Sequence, residues 1–321
     1  MTATPQLIEP KNLLRDFPPN HRYLIGVSGG RDSIALLHQL VDLEYKKLIV
    51  CHLNHQLRGR SSNRDARFVR ELAIQYDLDL ESASANVRAF ATKDKVSIEV
   101  AARTVRYQFF SQVAKRRRCR TLFLAHHADD LVETFLINLF RGAGSAGLRG
   151  MRQVSTRRIE GVGLAIVRPL LGVWRQQVDH YVRQHHLKFR EDASNKNLVP
   201  LRNRIRRQII PYLEKTLGRN VRQSICRAAN IAAEEENFFD ALLPEELSKL
   251  ASLSVRPLRA MPIAVQRRML CEWLRARDVP GVSFDLVERI RALLDLASGV
   301  SKTNMPRDRH ARRRAGRIFI E

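Results

Sequence analysis

Runs of consecutive apolar residues alternate with amphipathic stretches through the first two-thirds of the chain. Residues 23–27, 48–52, 78–83 and 121–125 read as strands, the first, second and fourth apolar without a polar alternate. Residues 33–43, 63–76, 96–117, 130–140 and 175–186 repeat their apolar positions at helical spacing. Strands alternating with helices predict an α/β fold, a parallel sheet with helices on both faces. In such a sheet ligands sit beyond the carboxyl ends of the strands. RGAGSAGLRGM (141–151) is too glycine-rich for a regular element and reads as a loop, and residues 157–170 read as a small hairpin. Past Pro200 the pattern turns helical, with one long helix expected over 220–243 before Pro244. Two further apolar-periodic stretches (263–275, 284–296) and a strand-like RIFI near the C-terminus then predict a small α+β domain. The expected division is 1–215 for the α/β domain, 216–243 for a helical linker and 244–321 for the C-terminal domain.

Composition bounds the function. The 321 residues are 44% hydrophobic, enough for separate cores in two domains. No apolar run is long enough to span a bilayer, so no membrane partner is expected. Cys51, Cys119, Cys226 and Cys271 are far apart and form no CxxC pair. That excludes a zinc ribbon or disulfide framework by spacing and suggests reduced thiols in a cytoplasmic protein. The formal net charge is +23. A polyanionic partner explains such an excess, and nucleic acid is the commonest.

Chemistry concentrates where the strands end. After the first strand, SGGRDS (28–33) turns sharply into a helix. The turn gathers backbone N–H groups at a helix N-terminus, which suits a phosphate, although a simple capped corner has the same spacing. Asp32 would repel a phosphate unless a divalent cation bridges the two. The lysine of a Walker loop is missing. After the second strand, HLNHQLR (52–58) offers hydrogen bonds to a nucleotide base or phosphate. After the fourth, HHADDLVE (126–133) opens a helix with Asp130 and Glu133 on one face. Those acids could complement the helix dipole, bind a metal with the histidines, or hold a cationic substrate. Glu99, Arg103 and Arg106 share a helix side, and RNRIRR (202–207) is a basic helical block. Lys115–Arg118 and Arg312–Arg314 read as non-specific attraction for a nucleic-acid backbone.

SGGRDS resembles the pyrophosphate loop of the N-type ATP pyrophosphatases. Together with HLNHQLR, IEVAARTVRY (98–107), AHHADDLVETFLINLFRGAG (125–144), RPLL (168–171), DASN (192–195) and LRNRIRRQIIPYL (201–213), the chain resembles the bacterial tRNA(Ile)-lysidine synthetase family. The likeness is continuous over about residues 20–215 and looser beyond. It implies an adenine nucleotide α-hydrolase-like catalytic domain and a single small C-terminal tRNA-binding domain. It also implies a ligase: ATP, with Mg2+, adenylates C2–O of the wobble cytidine of a CAU-anticodon isoleucine tRNA, and free L-lysine then displaces AMP to leave lysidine. Ser28, Gly29, Gly30, Arg31, Asp32 and Ser33, with His52 and Asn54, would bind ATP, and Asp32 the magnesium ion. Asp130 and Glu133 would hold the lysine amine, and Asp32, His126, Asp130, Glu133 and Arg202 would carry catalysis. Arg58, Arg103, Arg106, Arg204 and Arg206 would contact tRNA; a homodimer is compatible with the family. The alternative is another enzyme with the same loop, a tRNA thiolase or a glutamine-dependent amidotransferase. The missing CxxC pairs count against the first, and Thr2 in place of a cysteine after Met1 against the second.

Overall fold

The computed structural model describes residues 6–57, 59–190 and 200–321. The motif DASN (192–195) and Arg58 lie outside the described residues. In chain order the first elements are α1 (Pro10–Asp16), β1 (Tyr23–Gly26), α2 (Arg31–Asp42), β2 (Leu48–Asn54), α3 (Arg60–Gln75) and β3 (Asp79–Ser84). Then follow α4 (Val87–Lys93), α5 (Ile98–Arg117), β4 (Thr121–Phe123), α6 (Ala128–Phe140), α7 (Ser145–Leu148), β5 (Val154–Ile159), β6 (Val162–Val167) and α8 (Arg175–Gln184). The chain continues through α9 (Leu201–Arg204), a π-helical turn (Ile205–Ile209), α10 (Ile210–Leu217) and α11 (Val221–Leu242). It ends with β7 (Ser252–Ser254), α12 (Val255–Ala260), α13 (Ile263–Arg275), α14 (Phe284–Arg291), β8 (Lys302–Asn304), β9 (His310–Arg314) and β10 (Arg317–Ile320).

The chain forms two compact units, Met1–Ile137 with Gly150–Ala229, and Asn138–Arg149 with Asn230–Glu321. In the first, six strands lie in the order β3-β2-β1-β4-β6-β5, parallel except for β5. The apolar runs explain this, because a central parallel strand must bury both faces. Ile25 and Val50, with Phe123 and Val167, pack toward α2, α3 and α8 through Ile34, Leu37, Val69, Val178 and Tyr181. Their neighbours Leu24, Ile49, Leu122 and Ile166 pack the opposite way, against Tyr107, Phe110 and Val113 of α5. Each such fully buried side chain contributes about 1.5–3 kcal/mol of transfer free energy.

Two expectations change in detail. The hairpin is no separate excursion. Its apolar strand β6 joins the parallel sheet beside β4, and its polar partner β5 becomes the antiparallel edge. VGLAIV can be buried and VSTRRI cannot, which fixes which of the two lies inside. The glycine-rich loop contains one helical turn, α7, tied back by Asn138 Nδ2 donating to the Gly147 carbonyl at 2.8 Å.

The second unit packs α12–α14 against an antiparallel sheet of order β7-β10-β9-β8. Trp273, Leu270, Leu274, Ile290, Leu293 and Ile318 fill its core. Glu236, 2% exposed, is held there by Arg268 and by Ser145 Oγ, which donates to its Oε1 at 2.6 Å. No helix among the described residues is long and apolar enough to cross a membrane. All four cysteines are free.

Candidate active site

The carboxyl ends of β1, β2 and β4 meet the N-terminus of α5 around a cavity of about 610 Å3 in the first unit. Ser28, Gly30, Asp32, Ser33, His52, Asn54, His55, Arg103, Arg106, Tyr107 and His126 are among its lining residues. Three of the motifs picked out by sequence therefore converge on one space. At Gly26, where β1 stops, an added Cβ would come within 2.6 Å of a Leu124 methyl, so a side chain there would have to displace Leu124.

The phosphate loop is built by its own serines. Ser33 Oγ donates to the Gly30 carbonyl at 2.8 Å and accepts from the Ser28 N–H at 3.2 Å, while Gly30 N–H donates to Ser28 Oγ at 3.2 Å. Gly29 has φ +85°, a conformation an L side chain rarely adopts. The turn thereby aims the first N–H groups of the 12-residue helix α2 past the strand end, an anion site by geometry and dipole. Arg31 points elsewhere, pairing with Asp179 of α8 and stacking over Phe189 at 4.7 Å.

Asp32 stands in the first turn of α2. Its Oδ2 lies 3.6 Å from Arg175 Nη1 and 3.8 Å from His127 Nε2. Its Oδ1 is buried and meets no hydrogen-bond partner among the described residues. An orphaned carboxylate oxygen beside a phosphate loop fits Mg2+, which takes one or two carboxylates and completes its shell with phosphate oxygens and water. No group of three or more His, Cys, Asp or Glu among the described residues could hold a metal by itself, so the fit depends on a polyphosphate.

Helix α6 brings the histidine–aspartate block to the same edge. His126 lines the cavity, and its Nδ1 is buried without a partner among the described residues. Burial, reinforced by the charges of Arg168, Arg202 and Arg103 against the opposing pull of Asp130, lowers its pKa to about 3, so the ring is neutral. Asp130 accepts from the His127 backbone N–H at 3.1 Å. Burial would raise its pKa, but His127, His126 and Arg202 more than offset this and hold it below the ordinary carboxylate value. Glu133 is fully buried; burial raises its pKa against the opposing pull of Arg206.

Neither Asp130 nor Glu133 is open. Arg206 Nη2 lies 3.1 Å from Glu133 Oε2 and 3.4 Å from Asp130 Oδ1, and Arg202 Nε is 3.2 Å from Glu133 Oε2. Arg202 also donates to Thr134 Oγ1 at 2.7 Å. Both arginines come from one helical stretch interrupted by the π-turn at Ile205–Ile209, whose i→i+5 bonding puts more residues into the turn. Arg204 is exposed, so the RNRIR block divides into two inward cations and one outward. Arg103 and Arg106 line the cavity, with Arg103 5.3 Å from the Tyr107 ring centroid. Asn54 lines it too, but its amide is occupied: Nδ2 donates to Asn63 at 2.9 Å and Oδ1 accepts from Gln56 N–H at 2.9 Å.

Sequence reasoning missed three residues here. His127, 1% exposed, lies among Asp32, Asp129 and Asp130 at 3.6–3.8 Å. Its adjacency to His126 was the available signal, but only the fold tells which of two neighbouring histidines turns to Asp32. Arg175 faces Asp32 from the start of α8, where nothing in the local pattern marks it. Arg168 is buried, with Nη1 donating to the Arg152 carbonyl at 2.8 Å and Ser155 Oγ at 2.9 Å, and its Nε meets no partner among the described residues.

Comparison with known proteins agrees with this geometry. Residues 4–213 match the PP-loop domain, and residues 253–319 match the TilS substrate binding domain. The tRNA(Ile)-lysidine synthase of Geobacter sulfurreducens is 38% identical over 304 residues, 91% of this chain and 63% of that protein. That of Thermosynechococcus vestitus is 33% identical over 307 residues, 92% of this chain and 85% of its own length. Among solved structures, the U34-tRNA thiolase NcsA from Methanococcus maripaludis aligns with a TM-score of 0.50 at 19% identity, covering 67% of this chain and 72% of that one. That likeness is one of fold. This chain thus spans under two-thirds of the Geobacter relative and most of the Thermosynechococcus one. With a family model covering most of its length and relatives above 30% identity, the chain belongs to the tRNA(Ile)-lysidine synthase family.

Proposed function

We propose that the chain is an ATP-dependent ligase that joins L-lysine to C2 of the wobble cytidine of the isoleucine tRNA bearing a CAU anticodon. The observation that carries this reading is a cavity lined by the phosphate loop and by Asp32, whose Oδ1 is orphaned among the described residues, with Asp130 and Glu133 matched to cations on the helix that follows His126. Cytidine O2 is a poor leaving group until it becomes a phosphate ester. In the first step O2 attacks the α-phosphorus and pyrophosphate leaves; in the second the lysine ε-amine attacks C2 and AMP leaves with O2.

The Ser28–Gly30 turn and the α2 N-terminus bind the phosphates, and Asp32 holds Mg2+, which supplies charge neutralisation to the polyphosphate. His126, neutral and beside the loop, donates an N–H hydrogen bond to an α-phosphate oxygen without adding charge. Asp130 and Glu133 take the lysine ammonium. To do so they release Arg206 and Arg202, whose guanidinium groups find stronger partners in the bound phosphates. Ordinary proton loss then makes the amine a nucleophile, with one of the two carboxylates as acceptor. Residues 253–319 and the outward Arg204, with Arg103 and Arg106 at the cavity mouth, engage the tRNA. We assign the protein to the cytoplasm, where that substrate is made. Pyrophosphate release with candidate tRNAs, with and without lysine, tests the reading; formation of product without dependence on lysine would sink it.

A further inference from the structure

Three histidines line the cavity, and the reaction above uses only His126. The other two show opposite hydrogen-bonding faces. His52, 4% exposed, has Nδ1 2.9 Å from the Val27 carbonyl oxygen. A carbonyl only accepts, so Nδ1 carries the ring proton and Nε2 is left as a lone-pair acceptor. That Nε2 is buried and meets no donor among the described residues. Burial lowers the pKa of the ring and keeps it neutral. In His55 the pattern is reversed. Its Nε2 faces Arg106 Nη2 at 3.5 Å, and a guanidinium only donates, so the proton sits on Nδ1. That N–H is buried and also lacks a partner among the described residues. An occupant of the cavity is therefore offered one lone pair and one N–H, each costly to leave unmade.

We propose that His52 Nε2 and His55 Nδ1 read a nucleobase edge on which an amino group adjoins an unprotonated ring nitrogen. The amino N–H donates to His52, and the ring nitrogen accepts from His55. Adenine and cytosine share that edge. Guanine and uracil present a carbonyl oxygen beside a ring N–H, setting lone pair against lone pair at His52. Asn54, whose amide bonds Asn63 and Gln56, shapes the turn. The inference rests on the proposed reading in one respect: it takes a nucleotide as the occupant.

Equilibrium titration of the full chain tests it in two arms. One compares ATP, the triphosphate of purine riboside (which lacks the amino group) and inosine triphosphate. The other compares anticodon stem-loop RNAs carrying cytidine or its 4-desamino analogue at the target position. In one arm the wild type is expected to favour the amino-bearing ligand by roughly tenfold or more, a penalty typical of a buried polar group left unpaired. His52→Phe is expected to bring that ratio near one, and the arm that responds identifies the base. Should His52→Phe fail to fold, His55→Ala is expected to lower the ratio of ATP to inosine triphosphate binding, because the inosine ring N–H opposes the His55 N–H. Equal binding of amino and desamino ligands by the wild type in both arms overturns the proposal, as does a ratio unchanged in the variants. Binding is read without lysine or product, so failure of lysidine formation leaves this result standing.

Discussion

At the scale of single residues, the site sets one unpartnered carboxylate oxygen beside two carboxylates held by arginines. Asp32 leaves one carboxylate oxygen buried next to the phosphate loop with no hydrogen-bond partner among the described residues. Asp32→Asn keeps the shape and removes the charge; pyrophosphate release is expected to fall by about 10²-fold or more, a loss typical of a preorganised electrostatic group. Rescue of that rate by ordinary Mg2+ would contradict the assignment. Asp130→Ala is expected to abolish lysidine formation while tRNA binding persists, and equal loss of tRNA affinity would count against it. Glu133 and Arg206 show the cost of leaving one member of a buried pair alone. Arg206→Met leaves the Glu133 carboxylate with Arg202 alone, and a destabilisation of about 1–3 kcal/mol in urea unfolding is expected. Because Arg206 and Arg202 occupy the acids in the free protein, calorimetry should detect lysine binding only when ATP is already bound. Equal lysine affinity with and without ATP would refute that exchange.

The neutral histidines set a pH dependence. Burial, with the charge of Arg106, lowers the pKa of His55 to about 4 from an ordinary 6.5. A folded pKa below the unfolded one means that the unfolded chain binds the proton more readily. The stabilisation is present above pH 6.5 and is lost as the pH falls from there toward 4. His55→Gln should flatten the fall of stability between those limits, measured by chemical unfolding at several pH values; an unchanged slope would contradict the buried neutral ring.

At the scale of elements, the sequence was most legible where one physical demand dominates. Unbroken apolar runs could only be central parallel strands, and the three strand ends with polar motifs duly meet at one cavity. The hairpin was harder. Whether β6 stands alone or joins β4 depends on a register between residues distant in sequence, Thr121 with Ala165 and Phe123 with Val167. The π-turn was also beyond reach, since IRRQI has an ordinary helical pattern; only the pull of Glu133 and Asp130 on Arg206 reveals its use. His127 and Arg175 were unread for the same reason. Their roles come from Asp32, which another element supplies. The phosphate turn, by contrast, is local. Gly29→Ala, at φ +85°, should cost about 1 kcal/mol and weaken ATP binding more than tRNA binding.

At the scale of the whole molecule, the charge of +23 is only partly available to a partner. Arg116 and Arg117 are engaged by Glu81, and Arg313 Nη1 caps carbonyls of Leu293 and Asp295 at 2.7–2.8 Å. The reading of Lys115–Arg118 and Arg312–Arg314 as free backbone contacts therefore overlooked structural uses that composition does not reveal. The remaining excess still predicts that tRNA affinity falls steeply and linearly with salt on logarithmic axes. The second unit rests on its own core and on Glu236 with Arg268. The family resemblance was legible because its motifs are contiguous; the pairing of Arg206 with Asp130 and Glu133 was not, because it joins residues 73–76 positions apart.

The most direct test of the central claim is a single turnover with the CAU-anticodon isoleucine tRNA, ATP, Mg2+ and labelled lysine, followed by nucleoside analysis of the product RNA. The account predicts one lysine per tRNA at the wobble cytidine, with AMP and pyrophosphate formed in equal amounts, and no label in the methionine tRNA. Incorporation of another nucleophile in place of lysine, or pyrophosphate release with no RNA-bound lysine, would contradict it.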